Sequence, residues 1–564
     1  MYSRNNIFSR SNQRRDIKNR IWKLLFIFIL LFSFLIWKII NYMYLNSESL
    51  KTMADAQYTI DEQYGLQYRL IDCKGNDLLA YEVNFYAIID PLDYSKFNKY
   101  TSKYDMQTLI FTLRNYNSDY DLEKIKDSGN GQKIRYKIDE ETFDKLKDIK
   151  GVKGFYTYAA NDVIKDRYWK IENLLINTTY NKEGVDVPLI KSDDSLEMQI
   201  YNKTKTNEYT KIRFAKGVDG EISEGQIIEP ENNVNVRLTL DKEIQDSVEE
   251  ILDEEKYEKY GQIGVVLMES STGKIRGMVQ KDDDAYNANL GMTGTNGALP
   301  GSIFKVIVDE AGIDKDLIDN EKVYILDRKY FPNTHEAKEQ YTIAEALANS
   351  SNNTFGKFGW DVGLNNMYAY AEKQGLLRKV LNLQQEENGN FGVDLSNIKD
   401  GDVSQTAIGQ KIRITPLQAI SIPNTIINNG IYVQPSIIDA YLNDDNEVLE
   451  KITPITNRIL KTETAEKVKL HMLGVVNKGT GAEASIEGMN IGGKTGTTEY
   501  FENKIELSDG WFVGFFNLRG KNYSMVVFVK NIEISLIEGE NSEGGGTTAA
   551  PIFKEIVNAL KEMD

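Results

Sequence analysis

The chain has 564 residues and a formal net charge of −17, and its length suggests roughly three to four domains. The excess of acidic residues argues against a nucleic-acid-binding protein, whose binding face would be basic, so no nucleic-acid partner is expected. The single cysteine, Cys73, excludes an internal disulfide and a cysteine metal cluster, and neither a metal nor another cofactor is expected.

The N-terminus joins a basic segment to a long apolar run. Residues 1–20 carry six basic residues and one acidic residue, and residues 21–44 form a largely apolar stretch that exceeds the roughly 20 residues needed to span a bilayer. Its ends carry the aromatic residues typical of membrane interfaces: Trp22, Trp37, Tyr42 and Tyr44. No small-x-small cleavage site follows closely, so we predict a retained single-pass anchor in the cell membrane. The positive-inside rule predicts a cytoplasmic tail at residues 1–20 and an extracellular remainder.

Residues 45–230 are polar and rich in Tyr, Lys, Asn and Asp, with short alternating apolar runs. This pattern predicts a loosely patterned α+β domain outside the cell. No constellation of chemical groups stands out in it, so we expect it to act as a spacer or to contact partner proteins.

Residues 231–564 show clearer patterns of secondary structure than the preceding region. A strand and a helix capped by Asp241 are predicted first, then a hairpin, several helical stretches, two long strands and a final amphipathic helix. The predicted ranges are 236–240, 242–255, 264–268 with 274–279, 510–516, 523–529 and 549–563. Strands at both ends with helices between predict one α+β domain, whose sheet joins the two ends of the segment.

A serine and a lysine stand three residues apart in Pro300-Gly301-Ser302-Ile303-Phe304-Lys305, at the predicted start of an apolar helix. This spacing puts Ser302 and Lys305 on one helix face. Burial favours a neutral amine, which can take the proton of a serine hydroxyl. The same spacing recurs at Ser271–Lys274, in a predicted turn, and at Ser396–Lys399, in a polar loop. The spacing alone therefore does not identify a site.

The scarcity of histidine bears on the choice of base. Only His335 and His471 occur, and neither lies in a metal-ligand or nucleophile-elbow pattern, so we expect both to be structural or solvated. A serine enzyme built from this chain would therefore use lysine as its base.

Two more polar clusters follow, Ser350-Ser351-Asn352 and Gly492-Gly493-Lys494-Thr495-Gly496-Thr497. Each alone is typical of a helix end or a Gly-rich turn. Together they complete a plausible site, because the first offers a second hydroxyl and an amide. The second, on an edge strand, offers a cation, hydroxyls for a carboxylate, and a glycine that admits substrate to the backbone.

Ser302-x-x-Lys305, Ser350-x-Asn352 and Lys494-Thr495-Gly496, in this order, resemble the motif set of penicillin-recognising serine transpeptidases and β-lactamases. Further segments look like class B penicillin-binding proteins: 407–410, 415–418, 511–515 and 549–553. The resemblance covers about residues 235–564. It implies the penicillin-binding transpeptidase fold, an antiparallel sheet flanked by helices, over residues 231–564, behind a pedestal domain at 45–230 and one transmembrane helix at 21–44. The pedestal departs from the family pattern at Gln67-Tyr68, where Arg-Gly is expected.

The resemblance also implies roles for individual residues. Ser302 would be the acylated nucleophile and Lys305 its general base. Ser350 would relay the proton to the leaving amine, Asn352 would hold the substrate amide, and Lys494 would support the electrostatics.

The implied activity is that of a peptidoglycan D,D-transpeptidase, which crosslinks stem peptides through an acyl-serine and is the target of β-lactams. Thr495, Gly496 and Thr497 would bind the D-Ala-D-Ala terminus, and the backbone N–H groups of Ser302 and Thr497 would form the oxyanion hole. The implied partners are stem peptides, β-lactams, the membrane and a cell-wall glycosyltransferase.

Three alternatives stay open. A phosphate loop fits the spacing of residues 488–495, but it requires a strand before it and a helix after it, whereas strands are predicted downstream. A β-lactamase or β-lactam sensor would form the same acyl-serine, but hydrolysis needs a deacylating base, and none is identified. A non-catalytic cell-wall scaffold of the same fold would have no need of the motif set.

Overall fold

The computed structural model describes residues 5–41, 43, 58–62, 66–124, 132–182, 185–217, 220–291, 297–334, 336–502, 504–533 and 544–563. Its α-helices are α1 (Asn5–Ile40), α2 (Pro91–Phe97), α3 (Lys103–Tyr116), α4 (Glu140–Leu146), α5 (Ile171–Ile176), α6 (Leu196–Thr204), α7 (Lys242–Leu252), α8 (Lys305–Asp314), α9 (Ile343–Ala348), α10 (Asn352–Val362), α11 (Leu364–Lys373), α12 (Asp402–Ala407), α13 (Pro416–Ala419), α14 (Ser421–Ile427), α15 (Thr462–Lys478) and α16 (Ala549–Glu562). Its strands are β1 (Tyr58–Glu62), β2 (Leu70–Ile71), β3 (Tyr81–Ile89), β4 (Ile134–Ile138), β5 (Phe155–Val163), β6 (Thr179–Tyr180), β7 (Leu189–Ile190), β8 (Lys211–Lys216), β9 (Ile222–Ile228), β10 (Asn235–Leu238), β11 (Gln262–Glu269), β12 (Lys274–Gln280), β13 (Tyr324–Ile325), β14 (Gln340–Tyr341), β15 (Asn390–Phe391), β16 (Ile412–Arg413), β17 (Ile431–Val433), β18 (Ile438–Leu442), β19 (Val448–Lys451), β20 (Thr456–Arg458), β21 (Gly492–Glu502), β22 (Ile505–Leu518) and β23 (Lys521–Glu533).

Helix α1 contains the membrane span. Its part from Ile17 to Ile40 is long and apolar enough to cross a bilayer, and its side chains are exposed along the whole length. This stretch overlaps the predicted anchor at residues 21–44, of which residues 42 and 44 lie outside the described residues. The helix is the membrane span of a single-pass protein.

Contacts divide the chain into two compact units that interleave along the sequence. The first consists of Met1–Gly65, Val83–Asp162 and Tyr209–Pro230, and the second of Leu66–Glu82, Val163–Glu208 and Glu231–Asp564. The predicted domain ranges, 45–230 for a pedestal and 231–564 for a transpeptidase domain, stay a prediction.

In the first unit, the second half of strand β3 is buried on both faces. This strand is the middle strand of the sheet β4-β3-β5, beside a second sheet of order β1-β8-β9. Because side chains alternate along a strand, Ala87 and Ile89 join the cluster that contains Leu109 of α3, whereas Tyr86 and Ile88 join a cluster with residues of β5 and β8. The unit is therefore an α+β structure with an apolar layer on each side of β3.

The second unit is built around an antiparallel sheet of order β12-β11-β23-β22-β21. Strand β11 pairs with β23 in the register Val266 to Val526, so the sheet joins the two ends of the segment, as predicted. Along β11, Val266 belongs to the core cluster that includes α8, and Val265 to the cluster that includes α16. Helices thus cover both faces of the sheet, and the predicted α+β class is confirmed.

Local signals explain the elements around this sheet. The Asp241 side chain accepts a hydrogen bond from the Glu243 backbone N–H and caps α7, as predicted. The predicted hairpin is formed by β11 and β12, and the predicted C-terminal helix is α16. Within the described part of the chain, strand β21 lies at the edge of the sheet, and no other described strand pairs with its outer side. This edge carries Lys494, Thr495 and Thr497.

Candidate active site

Ser302 lies in a short 3-10 helix, Gly301–Phe304, that leads into α8. Ile303 and Phe304 are fully buried, and Ser302 is half-buried. Gly301 has a φ of +54°, a conformation that favours glycine, and its N–H donates to the Gly409 carbonyl over 3.3 Å. A Cβ at Gly409 would lie 2.1 Å from the Gly301 oxygen. Two glycine backbones in close contact therefore fix the turn that presents Ser302.

Strand β21 meets the same turn from another direction. A Cβ at Gly496 would lie 2.5 Å from the Pro300 carbonyl oxygen, so only glycine permits this approach. On β22, the Trp511 Nε1–H donates to the Leu299 carbonyl over 3.0 Å. These contacts bring the edge strand beside Ser302.

Lys305 is fully buried and hydrogen-bonded to the Ser350-x-Asn352 motif. Its Nζ donates to the Ser350 carbonyl over 2.6 Å and to Asn352 Oδ1 over 2.7 Å, and it lies 3.1 Å from Ser350 Oγ. The ring of Phe355 lies 5.7 Å from the same nitrogen. The structure therefore brings Lys305, Ser350 and Asn352 together in a polar cluster with an apolar wall.

The residues between α9 and α10 orient Ser350 and Asn352 toward Lys305. Ser350 has a φ of +55°, a left-handed conformation that costs a non-glycine residue about 1–2 kcal/mol. Ser351 caps α10 by accepting from the Thr354 N–H over 3.2 Å. The strain at Ser350 turns both its hydroxyl and its carbonyl toward Lys305.

Lys494 reaches the same hydroxyl from β21. Its Nζ lies 3.1 Å from Ser350 Oγ and 3.0 Å from the Thr495 carbonyl, and its side chain is fully buried. Burial lowers the pKa of Lys494 to about 7. Burial also holds the pKa of Lys305 well below its ordinary value, and the charge of Lys494 lowers it further. Both shifts favour the neutral amine, which is the form that can accept a proton.

Two hydroxyls of β21 have partners that the sequence reasoning missed. Thr495 Oγ1 lies 2.8 Å from Thr480 Oγ1, and Thr497 Oγ1 accepts from the Gly545 N–H over 3.1 Å. The Gly-Thr-Gly sequence at residues 479–481 is the local signal that marks the first partner. The Thr480 N–H donates to the Ala348 carbonyl over 3.0 Å, which ties this turn to the end of α9.

The competing patterns do not form comparable sites. Ser271 lies in the turn between β11 and β12, and the Lys274 amine donates to Asp439 over 2.6 Å. Lys494 lies inside a strand that is followed by another strand, which contradicts a phosphate loop. His471 is buried, with Nδ1 2.8 Å from Asp309 Oδ2, as expected for a structural histidine. His335 lies outside the described residues.

Comparison with known proteins agrees with this geometry. Residues 263–558 match the family model described as the penicillin binding protein transpeptidase domain. The chain is 26% identical over 483 residues to stage V sporulation protein D of Bacillus subtilis, covering 78% of this chain and 69% of that protein. It is 26% identical over 389 residues to the peptidoglycan D,D-transpeptidase FtsI of Buchnera aphidicola from Schizaphis graminum, covering 64% of each.

Solved structures share the fold. A peptidoglycan synthetase from Bifidobacterium adolescentis superposes with a TM-score of 0.61 at 17% identity, covering 89% of this chain and 96% of that one. Penicillin binding protein 3 from Mycobacterium tuberculosis, complexed with aztreonam, gives a TM-score of 0.58 at 17% identity over the same shares. The chain therefore belongs to the penicillin-binding protein transpeptidase family, as a class B member.

Proposed function

We propose that this protein is a serine-type D,D-transpeptidase that crosslinks peptidoglycan stem peptides through an acyl-enzyme at Ser302. One observation carries the proposal. Two buried lysines with lowered pKa values converge on Ser350 Oγ, at 3.1 Å each, beside the turn that holds Ser302. A hydroxyl and an amine whose neutral form is favoured by burial form an activated nucleophile without histidine.

In the first half-reaction, neutral Lys305 takes the proton from Ser302 Oγ as that oxygen attacks the carbonyl carbon between the two D-Ala residues. The carbonyl becomes an oxyanion, which the backbone N–H groups of Ser302 and Thr497 stabilise. The C–N bond then breaks, and the leaving D-Ala amine receives a proton through Ser350. The product is an ester between Ser302 and the donor peptide.

In the second half-reaction, the amine of another stem peptide attacks the ester carbonyl. Its proton passes back through the Ser350 and lysine cluster to Ser302 Oγ as the C–O bond breaks. A new amide bond crosslinks the two peptides, and the enzyme returns to its starting state. Asn352 holds the donor amide, and Thr495 and Thr497 bind the terminal carboxylate.

The names and ligands of the relatives support this substrate class. The Buchnera relative is named a peptidoglycan D,D-transpeptidase, and the Mycobacterium tuberculosis structure holds aztreonam, a β-lactam. We therefore propose stem peptides as substrates, β-lactams as inhibitors, and a cell-wall glycosyltransferase as a partner on the pedestal domain, residues 45–230. A β-lactamase or sensor and a non-catalytic scaffold are the competing functions.

Covalent labelling with a fluorescent penicillin tests the proposal. We expect stable labelling of the wild type and none of the Ser302→Ala variant. Ser271→Ala and Ser396→Ala are matched controls, because they remove the serine from the other two Ser-x-x-Lys spacings. Label that persists in Ser302→Ala would refute the assignment of the nucleophile. Rapid release of label from the wild type would indicate a β-lactamase, and a crosslinking assay with stem peptides separates a transpeptidase from a scaffold.

The proposed orientation, with residues 1–20 in the cytoplasm and the catalytic domain outside, has its own test. Single cysteines replace Lys18 and Tyr100 in a Cys73→Ser background, because Lys18 is exposed and Tyr100 is 90% exposed. A membrane-impermeant maleimide should label the cysteine at position 100 in intact cells. It should label the cysteine at position 18 only after lysis, and the reverse pattern would contradict the orientation.

A further inference from the structure

The loop between β13 and β14 delivers a carboxylate to the start of α10. The half-buried Glu336 accepts from the Asn353 backbone N–H over 3.1 Å and from Asn353 Nδ2 over 3.2 Å, both at Oε1. Asn353 also fixes the loop itself, because its Oδ1 accepts from the Phe331 N–H over 2.8 Å and its Nδ2 donates to the Phe331 carbonyl over 2.9 Å. The position of Glu336 is therefore set by a buried amide.

This anchoring places the carboxylate next to the proposed catalytic cluster. Asn353 directly follows Asn352, whose Oδ1 accepts from Lys305 Nζ. The first turn of α10 is also the positive end of the helix dipole, where a carboxylate is stabilised. The Glu336 carboxylate is thus bonded to the residue that follows Asn352, the side chain that binds Lys305.

The other charged groups on and around α8 are bonded to partners other than Lys305. Asp309 is bonded to His471 of α15 at 2.8 Å, and Glu345 of α9 accepts from Lys338 over 2.6 Å. Glu310 is bonded to Gln374. Burial lowers the pKa of the Lys305 amine most, the charge of Lys494 lowers it further, and that of Glu336 raises it.

We propose that Glu336 is a positioning residue of the active site: it fixes the start of α10 and supplies the negative charge that opposes Lys494 at Lys305. Through this charge it governs the pH at which Lys305 accepts the proton of Ser302. The inference rests on the proposed function, in which Lys305 is the base, and it adds a residue that lies outside the three motifs.

The test is the pH dependence of acylation by a fluorescent penicillin in the full-length protein. Glu336→Gln keeps an oxygen for the Asn353 N–H and removes the charge. A negative charge favours the ammonium form of Lys305, so its loss lowers the pKa of that lysine. We expect the acidic limb of the acylation rate to move to lower pH by about half a unit to one unit. Glu336→Asp, which draws the carboxylate back by one methylene, should give a smaller shift in the same direction.

Glu339→Gln is the matched control, because Glu339 lies in the same loop, is exposed, and pairs with Arg328 at 2.7 Å. It should leave the limb unchanged. A limb that stays at the wild-type pH in Glu336→Gln, or in Glu336→Asp if the glutamine variant does not fold, would reduce Glu336 to a structural anchor and overturn the inference. Failure of the proposed function is distinct, because the wild type would then not label at Ser302 at any pH.

Discussion

Lys305 and Lys494 meet at one hydroxyl oxygen, each with its Nζ 3.1 Å from Ser350 Oγ. Both side chains are fully buried, so neither charge is well solvated. Each positive charge also disfavours the other, which makes the doubly protonated pair the least stable state of the cluster. The arrangement thus favours a neutral amine without help from histidine.

Replacing Lys494 with methionine tests this coupling. The charge of Lys494 lowers the pKa of Lys305, so its removal should raise that pKa. We expect the acidic limb of the acylation rate to move to higher pH, opposite to the shift expected for Glu336→Gln. The plateau rate should also fall about 10²-fold, the size of one electrostatic contribution in an active site. Lys478→Met, at an exposed lysine near the end of α15, is the control, and an unmoved limb in Lys494→Met would show that the lysines do not interact.

Replacing Asn352 with aspartate puts a carboxylate in place of the amide that binds Lys305. The present Oδ1 to Nζ distance is 2.7 Å, so the new charge would stabilise the ammonium form. We expect the acidic limb of the acylation rate to move to higher pH by more than one unit. The pH–rate profile of penicillin labelling measures this, and Asn397→Asp, at an exposed position, serves as the control. An acidic limb that stays at the wild-type pH in Asn352→Asp would contradict the role of Lys305 as base.

Much of the fold follows from local sequence patterns. The short apolar run at residues 264–268 predicts a strand, and the longer apolar run after Ser302 predicts a buried helix. The structure agrees, because every residue of β11 is buried. The strands at both ends of residues 231–564 then predict one sheet, and β11 does pair with β23. Segments 66–82 and 163–208 belong to the second unit, although each lies between segments of the first. No pattern in their sequence predicts which unit they join.

The details of the site depend on contacts between distant segments, which periodicity does not encode. The left-handed φ of Ser350 follows from the packing of two helix ends rather than from a glycine in the sequence. Glu336 lies in a polar loop. Its position near the site is set by a hydrogen bond from the buried side chain of Asn353, which the sequence does not predict. The contact between Thr480 and the site depends on the hydrogen bond from its N–H to the Ala348 carbonyl, which joins its turn to the end of α9.

The buried pair of His471 and Asp309 ties α15 to the helix that carries Lys305. Its Nδ1 to Oδ2 distance is 2.8 Å, and both side chains are almost fully inaccessible. His471→Ala would leave the Asp309 carboxylate buried without this partner, which we expect to lower the free energy of unfolding by about 1–3 kcal/mol. Thermal melting measures the loss. Lys467→Ala, at an exposed position on the same helix, should change little, and an equal loss in both variants would contradict a special role for the pair.

Gly409 supports the nucleophile turn by backbone contact alone. A Cβ there would lie 2.1 Å from the Gly301 oxygen, and the φ of +78° is itself unfavourable for alanine. We expect Gly409→Ala to slow acylation of Ser302 at least about tenfold, since a misplaced reacting group is costly even at a displacement near 1 Å. Gly401→Ala is a matched control, because Gly401 has a φ of +86° and open space where its Cβ would be.

The comparison separates backbone strain from displacement of the turn. Both variants should melt at lower temperature, because alanine at positive φ costs about 1–2 kcal/mol. Only Gly409→Ala should also lose acylation rate at a temperature where both remain folded. Equal acylation rates in the two variants would show that the contact between Gly409 and Gly301 does not hold Ser302 in place.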